Sequence, residues 1–128
     1  NILQKLYLAN KYDIVACFAA HKHVRSEKDV FSVEALIKNN VINAKGLLDL
    51  LCIYPPKHFF CVSTDKAANP VNMMGASKRI MEMFVHKKSI DIDVSMARFA
   101  NVAFSDGSLL HGFNQRLEKN QPIVAPKL

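Results

Sequence analysis

Within residues 62–78, V-S-T-D-K-A-A-N-P-V-N-M-M-G-A-S-K, two hydroxyls, a carboxylate and an amine occupy four consecutive positions, Ser63, Thr64, Asp65 and Lys66. Groups of these types move protons to and from a substrate when burial or neighbouring charge shifts their pKa. Left in water, an adjacent Asp and Lys do no more than neutralise each other. The stretch joins an apolar run, residues 58–62, to an amphipathic run, residues 76–85, through a polar loop holding Asn69, Pro70 and Asn72. The pattern predicts a strand, a loop and a helix. Open parallel sheets place their ligands at the C-terminal ends of strands, so ligand chemistry is expected here.

The other elements must position that stretch. Ile2, Leu3, Leu6 and Ala9 recur at helical steps. Residues 13–20 form a nearly unbroken apolar run that ends at His21, Lys22 and His23, as expected of a parallel strand covered on both faces. From Ser32, Val33, Leu36, Ile37, Val41, Ala44, Leu47, Leu48 and Leu51 share one helical stripe, with Ser32 placed to cap it and Glu34 in its first turn. Asn40 falls on that stripe, so a buried amide is expected and must find partners. Pro55 and Pro56 end the helix before the strand at residues 58–62. In the next helix Ala76, Ile80, Met83 and Phe84 set an apolar face, which leaves Arg79 and Glu82 to solvent. A third strand is expected at residues 93–99, followed by a helix from Leu109 to about Lys119. Helices alternating with strands predict an α/β fold with a doubly wound parallel sheet and right-handed crossovers.

Length and composition narrow the function. The 128 residues suit one domain, and with 50% of them apolar a core can form without disulfide or metal. The cysteines are odd in number, Cys17, Cys52 and Cys61, and lie in apolar runs, which points to core thiols in a reducing compartment. No apolar run approaches the roughly 20 residues that span a bilayer, so no membrane contact is expected from this segment. The formal charge of +6 is spread along the chain without aromatic interleaving, which favours a phosphorylated small ligand over nucleic acid. His21 and His23 are spaced as a metal pair, yet no third ligand has sensible spacing, so no metal is expected.

Four segments together resemble one family: F-A-A-H-K-H-V at residues 18–24, N-N-V at 39–41, S-T-D-K-A-A-N-P-V-N-M-M-G-A-S-K at 63–78 and R-F-A-N-V at 98–102. It is the polysaccharide-biosynthesis branch of the extended short-chain dehydrogenases, which includes the inverting UDP-N-acetylglucosamine 4,6-dehydratases. The resemblance implies a Rossmann-type sheet and a bacterial cytoplasmic enzyme, homo-oligomeric when complete. It implies NADP as cofactor, with NAD as the alternative, and a UDP-sugar substrate. In such enzymes C4 is oxidised, water leaves across C5 and C6, and the stored hydride returns to C6.

On this resemblance Lys66 matches the base that takes the C5 proton, and Asp65 the acid that protonates the departing hydroxyl. Thr64 and Lys78 match the hydroxyl that orients the sugar and the ammonium that holds the nicotinamide ribose. Where many short-chain dehydrogenases carry Tyr, four residues before the Lys, this chain has Met74. A thioether cannot take a proton, so Lys78 or a water it orders is expected to receive the C4 hydroxyl proton. Met74 is left to pack beside the nicotinamide or in the core. Asn40 matches the family's helix Asn, which holds a water near the active Lys. Ala19, Ala20 and His21 match the passage along the nicotinamide half of the cofactor, and Asn101 a contact to the sugar nucleotide. Ser105 and Ser108 are candidates for the diphosphate, with Asp106 turned away. A 4-epimerase would share Thr64 and Lys78 but not need Asp65 and Lys66; a catalytically silent interaction module would have lost its activity at Met74.

Only Gly46, Gly75, Gly107 and Gly112 are present, and no G-x-G-x-x-G follows a strand. The expectation is therefore a partial NAD(P)-binding domain over residues 1–128, holding the fourth to sixth strands. The N-terminal glycine-rich βαβ unit and the C-terminal substrate region would lie elsewhere. The first strand should then have a bare edge, and the piece alone should bind NADP poorly.

Overall fold

A computed structural model describes residues 2–21, 27 and 29–124. Contacts divide the chain into two units, Asn1–Arg98 and Phe99–Leu128. In the first, helix α1 (Ile2–Ala9) leads into strand β1 (Ile14–Cys17). Helix α2 (Val30–Ile37), a π-helical turn (Lys38–Asn43) and helix α3 (Ala44–Ile53) then run on without a loop. Strand β2 (His58–Thr64), a 3-10 turn (Asp65–Ala67), helix α4 (Met73–Lys88) and strand β3 (Val94–Phe99) follow, β3 ending on the first residue of the second unit. The order is the alternation expected from the sequence, with β1 shorter and β2 longer than the apolar runs alone suggested.

The sheet is ordered β1-β2-β3. β1 and β2 are parallel, with Ile14 opposite His58 and Cys17 opposite Cys61. β1 is thus an edge strand, and its Ile14 is 69% exposed. Burial alternates along β2, where Phe59, Cys61 and Ser63 are buried and the residues between them half-buried. The expectation of strands covered on both faces is corrected here: among the described residues the core lies on one face of β1 and β2. It is built from Leu48 and Leu51 of α3, Phe59 and Cys61 of β2, Met81 and Val85 of α4, and Ile92. On the other face the rings of Phe18 and Phe60 lie 5.8 Å apart.

Two local expectations are also corrected. The long helix starts at Val30 rather than after Ser32, because Asp29 is its cap and accepts both the backbone N–H and the hydroxyl of Ser32 at 2.9 Å. Ser32 is inside the first turn. On α4 the buried residues are Met74, Gly75, Ser77, Lys78, Met81, Glu82 and Val85. Ile80 and Met83 are 40% and 62% exposed, whereas Glu82 is 3% exposed, so the helix is turned away from the predicted apolar face. The buried groups that cause this turn belong to the site.

In the second unit, helix α5 (Leu109–Glu118) is capped by Ser108, whose hydroxyl oxygen accepts the N–H of His111 at 3.2 Å. Gly107 sits at φ +77, a left-handed conformation glycine adopts without steric cost. No helix among the described residues is long and apolar enough to cross a membrane.

Candidate active site

The C-terminal end of β2 and the first two turns of α4 bring Thr64, Asp65, Lys66 and Lys78 into one region. β2 delivers Thr64 at its last position, and the 3-10 turn starts at once because Thr64 caps it, accepting the Lys66 N–H at 3.4 Å. The Asp65 Oδ1 accepts from the Thr64 hydroxyl at 2.9 Å, the Lys66 N–H at 2.9 Å and the Lys66 ammonium at 3.2 Å. These bonds hold the Asp65 carboxyl below the usual carboxylate range, the Thr64 hydroxyl first and Lys66 next. Asp65 is thus an ionised carboxylate paired with its neighbour. Their side chains are 49% and 41% exposed.

Helix α4 enters just beyond. Asn72 caps it, accepting the Gly75 N–H at 2.8 Å, and the Glu27 carboxylate accepts the Met74 N–H at 2.8 Å. Two of the first-turn N–H groups that no helical carbonyl can reach are thereby satisfied, and both carboxylate and amide oxygen sit well at the positive end of a helix. Gly75 permits the close approach: a Cβ there would lie 2.6 Å from the Lys66 carbonyl oxygen.

Met74 and Lys78 share the buried face, 6% and 4% exposed. The Lys78 ammonium donates to the Val62 carbonyl at 2.7 Å and lies 3.2 Å from the Met81 sulfur. Burial pushes its pKa down, with Cys17, Cys61 and Glu82 opposing. The Cys61 thiol is pushed up to about 11 by burial and stays protonated at neutral pH, as a core thiol should.

Asn40 is 1% exposed, and its partners are now clear. Its Oδ1 accepts the His21 N–H at 2.9 Å, while its Nδ2 donates to the His21 carbonyl at 3.1 Å and to the Ser77 hydroxyl at 3.1 Å. The amide holds the chain just past β1 as a neighbouring strand would, and reaches α4 one residue before Lys78. The π-helical turn is the local cost, since one residue too many per turn carries Asn40 and Val41 inward together. Ala19 and Ala20 are small and exposed next to this anchor, and the His21 side chain is exposed too.

Sequence reasoning passed over Ser77, left Glu82 to solvent and gave Ser63 and Arg98 no structural partner, yet all four build this region. Ser77 is fully buried and passes its hydroxyl hydrogen to the Met74 carbonyl at 2.8 Å. Ser63 donates to Glu82 at 2.6 Å, and Arg98 grips the same carboxylate from β3. The signal was available in the spacing: 74, 78, 81, 82 and 85 form one helical stripe once Lys78 is required to face the sheet.

In the second unit Asn101 is exposed, and Ser105 donates to the Val102 carbonyl at 2.8 Å. Asp106 has a side chain 97% exposed, 3.6 Å from His111. No group of three metal-ligating side chains occurs among the described residues. His23 lies outside them.

A buried lysine and a Thr-Asp-Lys cluster stand together at the C-terminal end of the central strand of an α/β sheet, where open parallel sheets place their ligands. The profile of the family described as "Polysaccharide biosynthesis protein" matches residues 1–126, and the chain belongs to that family. It is 36% identical over 121 residues to the probable polysaccharide biosynthesis protein EpsC of Bacillus subtilis (strain 168), covering 91% of this chain and 20% of that protein. It is 32% identical over 124 residues to the UDP-N-acetylglucosamine 4,6-dehydratase (inverting) of Campylobacter jejuni (serotype O:23/36, strain 81-176), covering 91% of this chain and 36% of the relative. The Bordetella bronchiseptica enzyme WbmG, solved in complex with NAD, superimposes with a TM-score of 0.80 at 19% identity, over 95% of this chain and 42% of that one. That likeness establishes the Rossmann-type α/β fold. The chain spans between a fifth and about two fifths of the lengths it matches.

Proposed function

We propose that the complete protein is a nucleotide-sugar 4,6-dehydratase, acting with NADP on UDP-N-acetylglucosamine for surface-glycan synthesis in a bacterial cytoplasm. Residues 1–128 are read as part of its Rossmann domain. The observation that carries this reading is the 3.2 Å contact between the Lys66 ammonium and the Asp65 carboxylate, beside Thr64. Elimination across C5 and C6 needs a neutral amine to take the C5 proton and a carboxylic acid to protonate the leaving hydroxyl. The ion pair is that couple with its single proton on the nitrogen. In water the charged form wins; covering the half-exposed pair with a sugar removes the solvent that favours two charges, and the proton moves to Asp65. An epimerase needs neither group.

Lys78 supports the same reading. Burial makes it easier to neutralise than a surface lysine, so it can accept the C4 hydroxyl proton that Met74 cannot. The Thr64 hydroxyl orients the sugar at the strand end. The nicotinamide nucleotide of this reading would lie along Ala19 and Ala20, which are small and exposed, with Lys78 held by its contacts to Val62 and Met81. Bound there, the nucleotide would supply reversible hydride storage. The NAD bound to WbmG supports this cofactor class. The similarity to the Campylobacter dehydratase supports the reaction and the UDP-sugar substrate. Three free cysteines support a reducing compartment, and exposed Ile80 and Met83 on α4 support a homo-oligomer.

The test incubates the complete protein with UDP-N-acetylglucosamine in deuterated water and follows the sugar by NMR. A 4-keto-6-deoxy product carrying solvent deuterium at C5 is expected. A C4 epimer would replace the dehydratase by the epimerase, and unchanged sugar would refute both.

A further inference from the structure

Glu82 is a buried carboxylate that the reaction above does not use. It lies one helical turn beyond Lys78 and is 3% exposed. Its Oε1 accepts the Ser63 hydroxyl at 2.6 Å and the Arg98 Nε at 2.8 Å; its Oε2 accepts the Arg98 Nη2 at 2.6 Å and the Arg79 Nη1 at 3.2 Å. Lys78 meanwhile donates to the carbonyl of Val62 at 2.7 Å. Consecutive turns of α4 therefore grip consecutive residues of β2, Val62 and Ser63, immediately before Thr64. Arg98 extends the grip to β3.

Resting on the reading of Lys78 and Thr64 given above, we propose that the Glu82–Arg98 pair is the positioning element that sets Lys78 against Thr64, acting on the reaction without touching substrate. Stability alone does not account for it, because a buried ion pair commonly does no better than apolar side chains of the same volume. What the pair adds is direction. The two-pronged guanidinium contact fixes the carboxylate, and the carboxylate fixes the Ser63 hydroxyl, so the helix cannot slide or turn against the strand. A leucine would fill the space and leave that register free.

The pair also bears on proton transfer. The titratable groups around Lys78 are Cys17 from β1, Cys61 from β2 and Glu82 from its own helix, and each favours the ammonium against burial. Removing the Glu82 charge leaves burial less opposed and lowers the Lys78 pKa further.

The experiment uses the complete protein with Glu82→Gln, Arg98→Lys and, as a control, Lys45→Ala, which removes a surface ion pair of α3. NADPH binding is followed by fluorescence, and kcat, KM and the pH profile with UDP-N-acetylglucosamine. For Glu82→Gln we expect kcat to fall roughly 10- to 100-fold with KM within about threefold, as misplacement of a reacting group would give. The rising limb of its pH profile should move to lower pH, and its NADPH Kd should rise by roughly three- to tenfold. Arg98→Lys keeps the charge, loses the fork and should fall between. Lys45→Ala should match the wild type. A Glu82→Gln protein with wild-type circular dichroism, kcat, pH limb and NADPH Kd overturns the proposal; if that variant fails to fold, Arg98→Lys with wild-type values does so instead. If the wild type makes no product, the dehydratase reading fails by itself, and NADPH affinity then decides the positioning role.

Discussion

Replacing Gly75 by alanine puts one methyl group where α4 meets the Asp65–Ala67 turn. Its carbon would lie 2.6 Å from the Lys66 carbonyl oxygen and 3.2 Å from the Asn72 Oδ1. The first neighbour is backbone and cannot swing aside, so helix or turn must shift. Overpacking of this kind costs about 1–3 kcal/mol. Alanine in place of glycine inside a helix returns about 1 kcal/mol. The net expectation is a loss of about 0–2 kcal/mol, with the shift falling on Lys66 itself. Gly46, inside α3, is the matched control, because a methyl carbon added there would meet nothing within 4 Å. Gly46→Ala should gain up to about 1 kcal/mol, because only the propensity acts there. Urea denaturation of the complete protein compares the two. Turnover should separate them further, since a misplacement on the scale of an ångström costs about 100-fold. If Gly75→Ala is as stable and as active as Gly46→Ala, the close approach of α4 to Lys66 is wrong and so is the site built on it.

Lys78→Met should cut turnover of the complete enzyme at least about 100-fold, the scale of a lost acid-base group; full turnover would remove Lys78 from the proton path. Asn40→Ala should cost about 2–4 kcal/mol, read from the denaturation midpoint, because it strands His21 backbone groups and the Ser77 hydroxyl. Arg98 first, with Ser63 and Arg79, holds the Glu82 pKa at about 2 against an ordinary 4.5. That depressed carboxyl contributes stability in full above its unfolded value and loses it as pH falls from about 4.5 to about 2, on the order of 3 kcal/mol in all. Glu82→Gln should therefore flatten the acid side of the stability profile in that window, and an unchanged slope would refute the pairing. Asp65→Asn, Lys66→Met and the double variant should all lose similar activity, because one shared proton is lost in each; additive losses would mean the two groups act separately.

The alternation of helices and strands was legible because long apolar runs and prolines punctuate this chain clearly. The phase of α4 was not, for a physical reason. Hydrophobicity places Ile80 and Met83 inward, but Lys78 and Glu82 are drawn inward by the Val62 carbonyl, the Ser63 hydroxyl and Arg98, partners that lie 16 to 19 residues away in sequence. A helix carrying two buried charges cannot be phased on apolar residues alone. Asn40 was legible as a misfit on its stripe, and the misfit pointed to the right place. What the sequence withheld was the π-helical turn, which depends on the His21 backbone reaching the amide. Asp29 displaced Ser32 as the cap because its carboxylate serves two donors at once, a choice that only the geometry reveals.

The lowered pKa of Asp65 bears directly on whether this turn can eliminate water. An acid that must collect its proton from solvent is disabled by such a shift. On the proposed dehydratase reading Asp65 need not do so, because the Lys66 ammonium lies 3.2 Å away, and a proton passed from it would arm the acid and free the base together. The bonds that hold Asp65 ionised in water also keep it beside Lys66. The same reading would account for the half-exposed pair on the turn and for Lys78, whose pKa burial lowers, on the buried face of the helix. On the proposed dehydratase reading the two amines would be readied by different means, Lys66 by giving a proton to Asp65 and Lys78 by burial, which lowers its pKa.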